Sequence, residues 1–100
     1  MIKLVALYKR PSEPADFDAH YASTHLPLVR KFPGLLKMEV TRVTGAPLGE
    51  AKFSIMEEFY FADKDAMDSA LASAEGKAVT RDLMTFAADL MTVFYGEAGE

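Results

Sequence analysis

One hundred residues and 11.0 kDa leave room for one domain, because a chain of this size buries only ~65% of its unfolded surface on folding. The absence of cysteine excludes disulfide scaffolds, thiol redox chemistry, cysteine nucleophiles, thiolate zinc sites and iron–sulfur clusters. Eleven basic against fifteen acidic residues give a net charge of −4, with no basic stripe to neutralise phosphates, so nucleic acid is not an expected partner.

No apolar run approaches the ~18 residues of a membrane span, and the start MIKLVALYKRP lacks the small-residue cleavage site of a signal peptide. A cytoplasmic protein without a membrane partner is the expectation. Hydrophobic residues make up 50% of the chain, much for a domain with so large a surface for its volume. That excess points to a face covered by a partner.

Ile2 to Tyr8 is short and apolar and ends at Lys9-Arg10-Pro11, a strand followed by a break. Pro14 suits a first helical turn, and Asp16 and Asp18 favour its positive end. The helix is expected to run to about Phe32, with Phe17, Tyr21, Leu28 and Val29 as its apolar face, until Pro33-Gly34 stops it. Pro27 is expected to kink its last turns. Leu35 to Val43 alternates, with Leu36, Met38 and Val40 on one side, as a half-exposed strand does.

Thr44 to Lys52 reads as a long hairpin loop, and Phe53 to Phe61 as a returning strand dense in aromatics. Asp63 can cap a helix in which Met67, Ala70, Leu71 and Ala74 share a face. Gly76 is expected to interrupt it before a second piece with Val79, Leu83 and Phe86 on one stripe. Leu90 to Tyr95 forms the last strand, ended by Gly96, and residues 97–100 form a polar tail expected to fray.

The order is β-α-β-β-α-β, an α+β ferredoxin-like arrangement with a four-stranded antiparallel sheet, expected over residues 1–96 as a single domain. Both helical segments would cover one sheet face and leave the other bare. The first, third and fourth strands are apolar on both faces, so the bare face would exceed the patch that monomers tolerate. A homodimer packed sheet against sheet resolves this.

The only two histidines, His20 and His25, lie in the first helix and are the natural acid–base candidates. Their i, i+5 spacing places them about 140° apart on an α-helix, poor for joint metal ligation, and no metal is expected. The alternative is a surface His20 and a His25 that bonds a neighbouring turn. Tyr21 and His25 are i, i+4 and can share a face, where the phenol can donate to a substrate oxygen. Tyr8 ends the first strand where it could meet that helix; ordinary core roles remain open for both tyrosines.

Glu57 shares parity with Phe53, Ile55, Phe59 and Phe61, the more apolar set of its strand. Burial there would raise its pKa and suit it to general acid work. An ion pair with Arg42, or a bulge that lets the carboxylate escape, are the alternatives. No G-x-G-x-x-G, G-x-x-x-x-G-K-[ST] or G-x-S-x-G is present, so no nucleotide cofactor or hydrolase elbow is expected.

The strand leading to Lys9-Arg10-Pro11, then Phe17-x-x-His20-Tyr21-x-x-x-His25-x-Pro27-Leu28-Val29 and Phe32-Pro33-Gly34-Leu35, resemble the EthD family, named after a protein of ethyl tert-butyl ether degradation. Glu58-Phe59-Tyr60-Phe61 looks like its third strand. Two departures are Tyr21, where Trp is common, and Leu26, where Gly is frequent. The resemblance implies a dimeric α+β barrel, an architecture shared with lactone isomerases, cofactor-free monooxygenases and polyketide-tailoring enzymes. Some family members carry an oxidoreductase label.

These readings converge on a small catabolic enzyme or accessory protein acting on a small hydrophobic organic ligand between the first helix and the sheet. His25 or His20 would move a proton, Tyr21 would orient an oxygen and Glu57 would assist. A catalyst should hold His25 within hydrogen-bond reach of Tyr21 or Glu57, facing a cavity of at least ~300 Å³. The rival is a non-catalytic dimeric module that shields a labile hydrophobic metabolite.

Overall fold

The computed structural model describes residues 1–99. Four strands, β1 (Ile2–Lys9), β2 (Lys37–Arg42), β3 (Phe53–Phe61) and β4 (Met91–Glu97), form one antiparallel sheet in the order β2-β3-β1-β4. Between β1 and β2 lie α1 (Pro14–His20), a π-helical turn (Tyr21–His25) and α2 (Leu26–Val29). Between β3 and β4 lie α3 (Lys64–Ala72) and α4 (Ala74–Phe86). This is the ferredoxin-like arrangement, with β1 and β3 at its centre.

Alternation along the central strands creates the core. Ile2, Leu4, Ala6 and Tyr8 of β1 stand opposite Phe61, Phe59, Glu57 and Ile55 of β3, and opposed residues share a face. That face is covered by the helices. Val29, Phe32, Met67, Ala70 and Val79 pack over Leu4, Phe59 and Phe61. Phe17, Tyr21 and Ala87 pack over Ala6, Tyr8 and Ile55.

Several boundaries differ from the sequence reading. The first helix ends at Val29 and is not a single α-helix. Phe32 still closes over the core, and Gly34 turns the chain with φ of 75°, a conformation that only glycine adopts without strain. β2 begins at Lys37, two residues after Leu35, and its Val40 and the preceding Leu36 are exposed, as an edge strand permits. β4 runs through Gly96 to Glu97, and the amide of Ala98 donates to the carbonyl of Met1 at 2.9 Å, so ordered pairing reaches into the expected tail.

Gly76 does not interrupt the second helical segment. The break is at Ser73, whose extended backbone ends α3 and whose hydroxyl accepts from the Gly76 amide at 3.0 Å to cap α4. Gly76 sits in the first turn of α4 against the end of α3, where a Cβ would overlap the carbonyl oxygens of Ala70 and Leu71. Glycine is there for close approach, not for flexibility.

The opposite sheet face carries no helix. Val5, Leu7, Met56 and Phe94 form its apolar centre, crossed by a Lys3–Glu58 ion pair at 3.0 Å. The face is therefore mixed, less uniformly apolar than strand parity suggests. The chain exposes 6219 Å², more than the ~5,600 Å² typical of a folded monomer of this mass. Among the described residues no helix is long and apolar enough to cross a membrane.

Replacing Gly76 with Ala should force α3 and α4 apart. Overpacking against backbone predicts a loss of about 3 kcal/mol, read as a lower denaturation midpoint with an unchanged m-value. An unchanged midpoint would mean that the turn between the helices adjusts freely.

Candidate active site

Glu57 occupies the helix-facing side of β3, opposite Ala6, and is 1% exposed. Two phenols meet it. Tyr8, the last helix-facing residue of β1, donates to Oε1 at 2.6 Å, and Tyr21, the first residue of the π-turn, donates to Oε2 at 2.8 Å. Burial pushes the Glu57 carboxyl above its ordinary value, while the two phenols and the nearby His25 oppose that shift without cancelling it. Burial first, then the Glu57 charge, holds both phenols well above the usual tyrosine range, so both remain protonated donors.

The π-turn decides what the histidines can do. The Leu26 amide bonds the carbonyl of Tyr21, five residues back, and Pro27 next to it has no amide and a ring that crowds the Ser23 carbonyl. Widening the turn at that point accommodates the proline. In such a turn residues five apart become neighbours. His20 Nε2 lies 2.7 Å from Asp82 Oδ1 and His25 Nδ1 lies 3.0 Å from Asp82 Oδ2, so one carboxylate on α4 clamps both rings.

With Nδ1 held by Asp82, the Nε2 edge of His25 faces inward, 3.2 Å from Tyr8 Oη and 3.8 Å from Glu57 Oε2. A bonded chain thus runs His20–Asp82–His25–Tyr8–Glu57–Tyr21. His25 is fully buried, whereas about a third of the His20 side chain is exposed, in a cleft of about 650 Å³ shared with Arg10 and Asp16.

A second, smaller space lies under the helices and opens at one side. It measures about 190 Å³, and His25 and Glu57 face it together with apolar Leu4, Val29, Phe59 and Leu83. Exposed Thr80 and Val93 stand at its rim. Among the described residues, no three His, Asp or Glu side chains are grouped so as to hold a metal ion.

The sequence profile of the EthD domain matches residues 9–89. The chain belongs to the EthD family. An EthD family protein from Bacillus halodurans is 47% identical and superposes with a TM-score of 0.95 over 99% of both chains. SnoaB, a cofactor-independent oxygenase from Streptomyces nogalater, is 18% identical, with a TM-score of 0.70 over 99% of this chain and 93% of its own. A dimeric ferredoxin-like protein of unknown function from Jannaschia sp. CCS1 is 17% identical, with a TM-score of 0.72 over 97% of this chain and 98% of its own. At these lower identities the likeness is one of fold.

In this EthD domain the four candidate residues meet in one network, but not as their spacing suggests. His20 and His25 are not splayed about 140° apart, because the π-turn brings them to one carboxylate. His25 forms no direct hydrogen bond to Tyr21 or Glu57; Tyr8 bridges His25 and Glu57. The cavity is also smaller than the ~300 Å³ expected.

Arg42 does not pair with Glu57. It reaches Asp18 at 3.2 Å on the surface, since phenols satisfy the buried carboxylate without desolvating a second charge. Nor does β3 bulge there: pairing is regular through Glu57, and the irregularity lies between Tyr8 and Lys9. Asp82 carries little sequence signal. Between Arg81 and Leu83 it reads as a solvated helix charge, and only its i, i+3 and i, i+4 spacing to Val79 and Phe86 hints otherwise.

The Glu57 shift has a signed consequence. The folded state binds this proton more tightly than the unfolded chain, so stability falls as pH rises from 4.5 through the higher folded-state value, then levels. Glu57→Gln removes that loss. Its unfolding temperature relative to wild type should therefore climb across the window and flatten above it, and a difference independent of pH would contradict the shift.

Proposed function

We propose that this EthD-family chain, a single domain over residues 1–96, is a cytoplasmic acid–base catalyst acting through its own side chains on a small, mostly apolar organic molecule. The observation that carries this reading is the shared position of Glu57 and His25 on one 190 Å³ apolar cavity. Apolar cavities of about 150 Å³ accommodate benzene, so the substrate is the size of a single ring.

Glu57 is the group that takes or returns a substrate proton, since its raised pKa brings it toward neutral operating pH. His25 is its partner, fixed by Asp82, and Tyr21, which does not line the cavity, holds Glu57 Oε2 in place. His20 faces the open cleft, not the cavity, and its part is to hold Asp82. Proton transfer of this kind is worth ~10²–10⁴-fold, adequate for isomerisation or dehydration of an activated carbon acid, as in lactone isomerase-like or polyketide-dehydratase-like chemistry.

One observation favours a second reading. Among the described residues no buried side-chain polar atom lacks a partner, so the cavity is also suited to sheltering a hydrophobic metabolite unchanged.

The assembly belongs to the same proposal. Val5, Leu7, Met56 and Phe94 make the uncovered face an interface with a second copy, in keeping with the dimeric Jannaschia protein. Sedimentation at micromolar concentration should give twice 11.0 kDa, and Phe94→Glu should return the monomer. A monomeric wild type would overturn the dimer.

The catalytic reading is tested by thermal shift against small lactones, phenols and quinones. A true ligand at a hundred times its Kd should contribute about 2.7 kcal/mol, roughly 10 °C for a domain of this size, and should fail to stabilise His25→Ala. Turnover of that ligand supports the catalyst; binding without conversion supports the sheltering module. No stabilising ligand would sink both.

A further inference from the structure

We propose that Tyr8 is a proton relay that makes Glu57 and His25 a single acid–base unit. The carboxylate and the imidazole do not bond directly, since Glu57 Oε2 and His25 Nε2 are 3.8 Å apart. Tyr8 Oη touches both, at 2.6 Å from Glu57 Oε1 and 3.2 Å from His25 Nε2. Tyr8 is itself fully buried, so no bulk water competes for either contact.

Hydrogen-bond directions allow two complete arrangements. In one, Glu57 is ionised and accepts from Tyr8, whose oxygen accepts from His25 Nε2–H. In the other, Glu57 carries the proton and donates to Tyr8, whose hydroxyl donates to a bare His25 Nε2. In both, Tyr21 donates to Glu57 Oε2 and His25 Nδ1–H donates to Asp82.

Two hops connect them. The Glu57 proton moves to Tyr8 Oη as the Tyr8 proton moves to His25 Nε2. Atoms and charge balance: Glu57 acid and neutral imidazole become carboxylate and imidazolium. Tyr8 ends protonated, as it began, and no buried tyrosinate forms. Burial and the Glu57 charge would make that anion prohibitive.

The surrounding groups make both end states tenable. Asp82, from α4, lies 3.0 Å from the far side of the imidazole and compensates its charge when it carries two protons. His20 beyond it holds the other Asp82 oxygen. Tyr21 stays on Glu57 throughout. A proton captured by Glu57 from the cavity can therefore be parked on His25 and the carboxylate regenerated. This deepens the acid–base reading above and rests on it for its purpose, but the relay itself operates without a ligand.

The test is NMR of the full chain without ligand, following the Glu57 carboxyl carbon and the His25 ring nitrogens across pH. Two coupled groups release their protons in two macroscopic steps, and in wild type both resonances should move in each step, because the proton of the singly protonated state is shared. In Tyr8→Phe each resonance should move in one step only, the carboxyl carbon in one and the ring nitrogens in the other. Tyr21→Phe removes the other Glu57 donor but does not touch the His25–Tyr8 bond, and should keep both resonances moving in both steps.

Resonances that each follow a single step in wild type, or that both follow both steps in Tyr8→Phe, would overturn the relay. So would single-step behaviour in Tyr21→Phe. If Tyr8→Phe does not fold, 3-fluorotyrosine at position 8 replaces it; that more acidic phenol should move both resonances together, and movement of one alone refutes the proposal. A failed ligand screen leaves these outcomes untouched, so the relay and the catalytic reading fail independently.

Discussion

A carboxylate placed on the packed side of a sheet constrains everything near it. Glu57 could not stay there as an isolated ion, because removing an unpaired charge from water costs far more than a domain of this size can offset. The solution is two phenols, one per carboxylate oxygen. They supply strong charge-assisted bonds and keep their rings in the core. The same rings pack edge-on to each other at 5.9 Å, and Tyr21 stacks on Phe17. Electrostatic need and apolar packing are met by the same atoms.

That arrangement requires Tyr21 and His25 to point inward from one helical segment while His20 reaches the same α4 carboxylate. A regular α-helix cannot do this, since residues five apart diverge. The widened turn can. Its origin is local: Pro27 removes one amide and crowds the Ser23 carbonyl, and the Leu26 amide bonds Tyr21 instead. A covalent feature of one residue thus sets the positions of three side chains of the network, His20, Tyr21 and His25.

The β-α-β-β-α-β order and the buried parity of Glu57 were legible because they follow from short-range periodicity. Alternation in Ile2–Tyr8 and Phe53–Phe61 places residues on faces whatever the partner strand does. What escaped prediction was set by tertiary contact, or by a local feature with more than one structural outcome. The π-turn follows from a proline whose effect has more than one backbone solution, and a kink was the other. Asp82 is one charge among several on its helix, distinguished only by what α4 packs against. Gly76 looks like a breaker from sequence because glycine usually is one, yet its role depends on the carbonyl oxygens of a different helix.

The two central strands carry two jobs on alternate residues. Tyr8 and Glu57 serve the helix-covered network, while their immediate neighbours Leu7 and Met56 point to the uncovered face. A second copy seated on that face would bury the neighbours of both network residues without touching the network. It would restrict β1 and β3 at the point where a 2.6 Å and a 3.2 Å contact must coexist on one phenol oxygen. Proton transfer is steep in distance, and hydrogen bonds weaken quickly with misalignment. A second copy on the uncovered face would in this way stiffen the strands that carry the network, although that face and the cavity lie on opposite sides of the sheet.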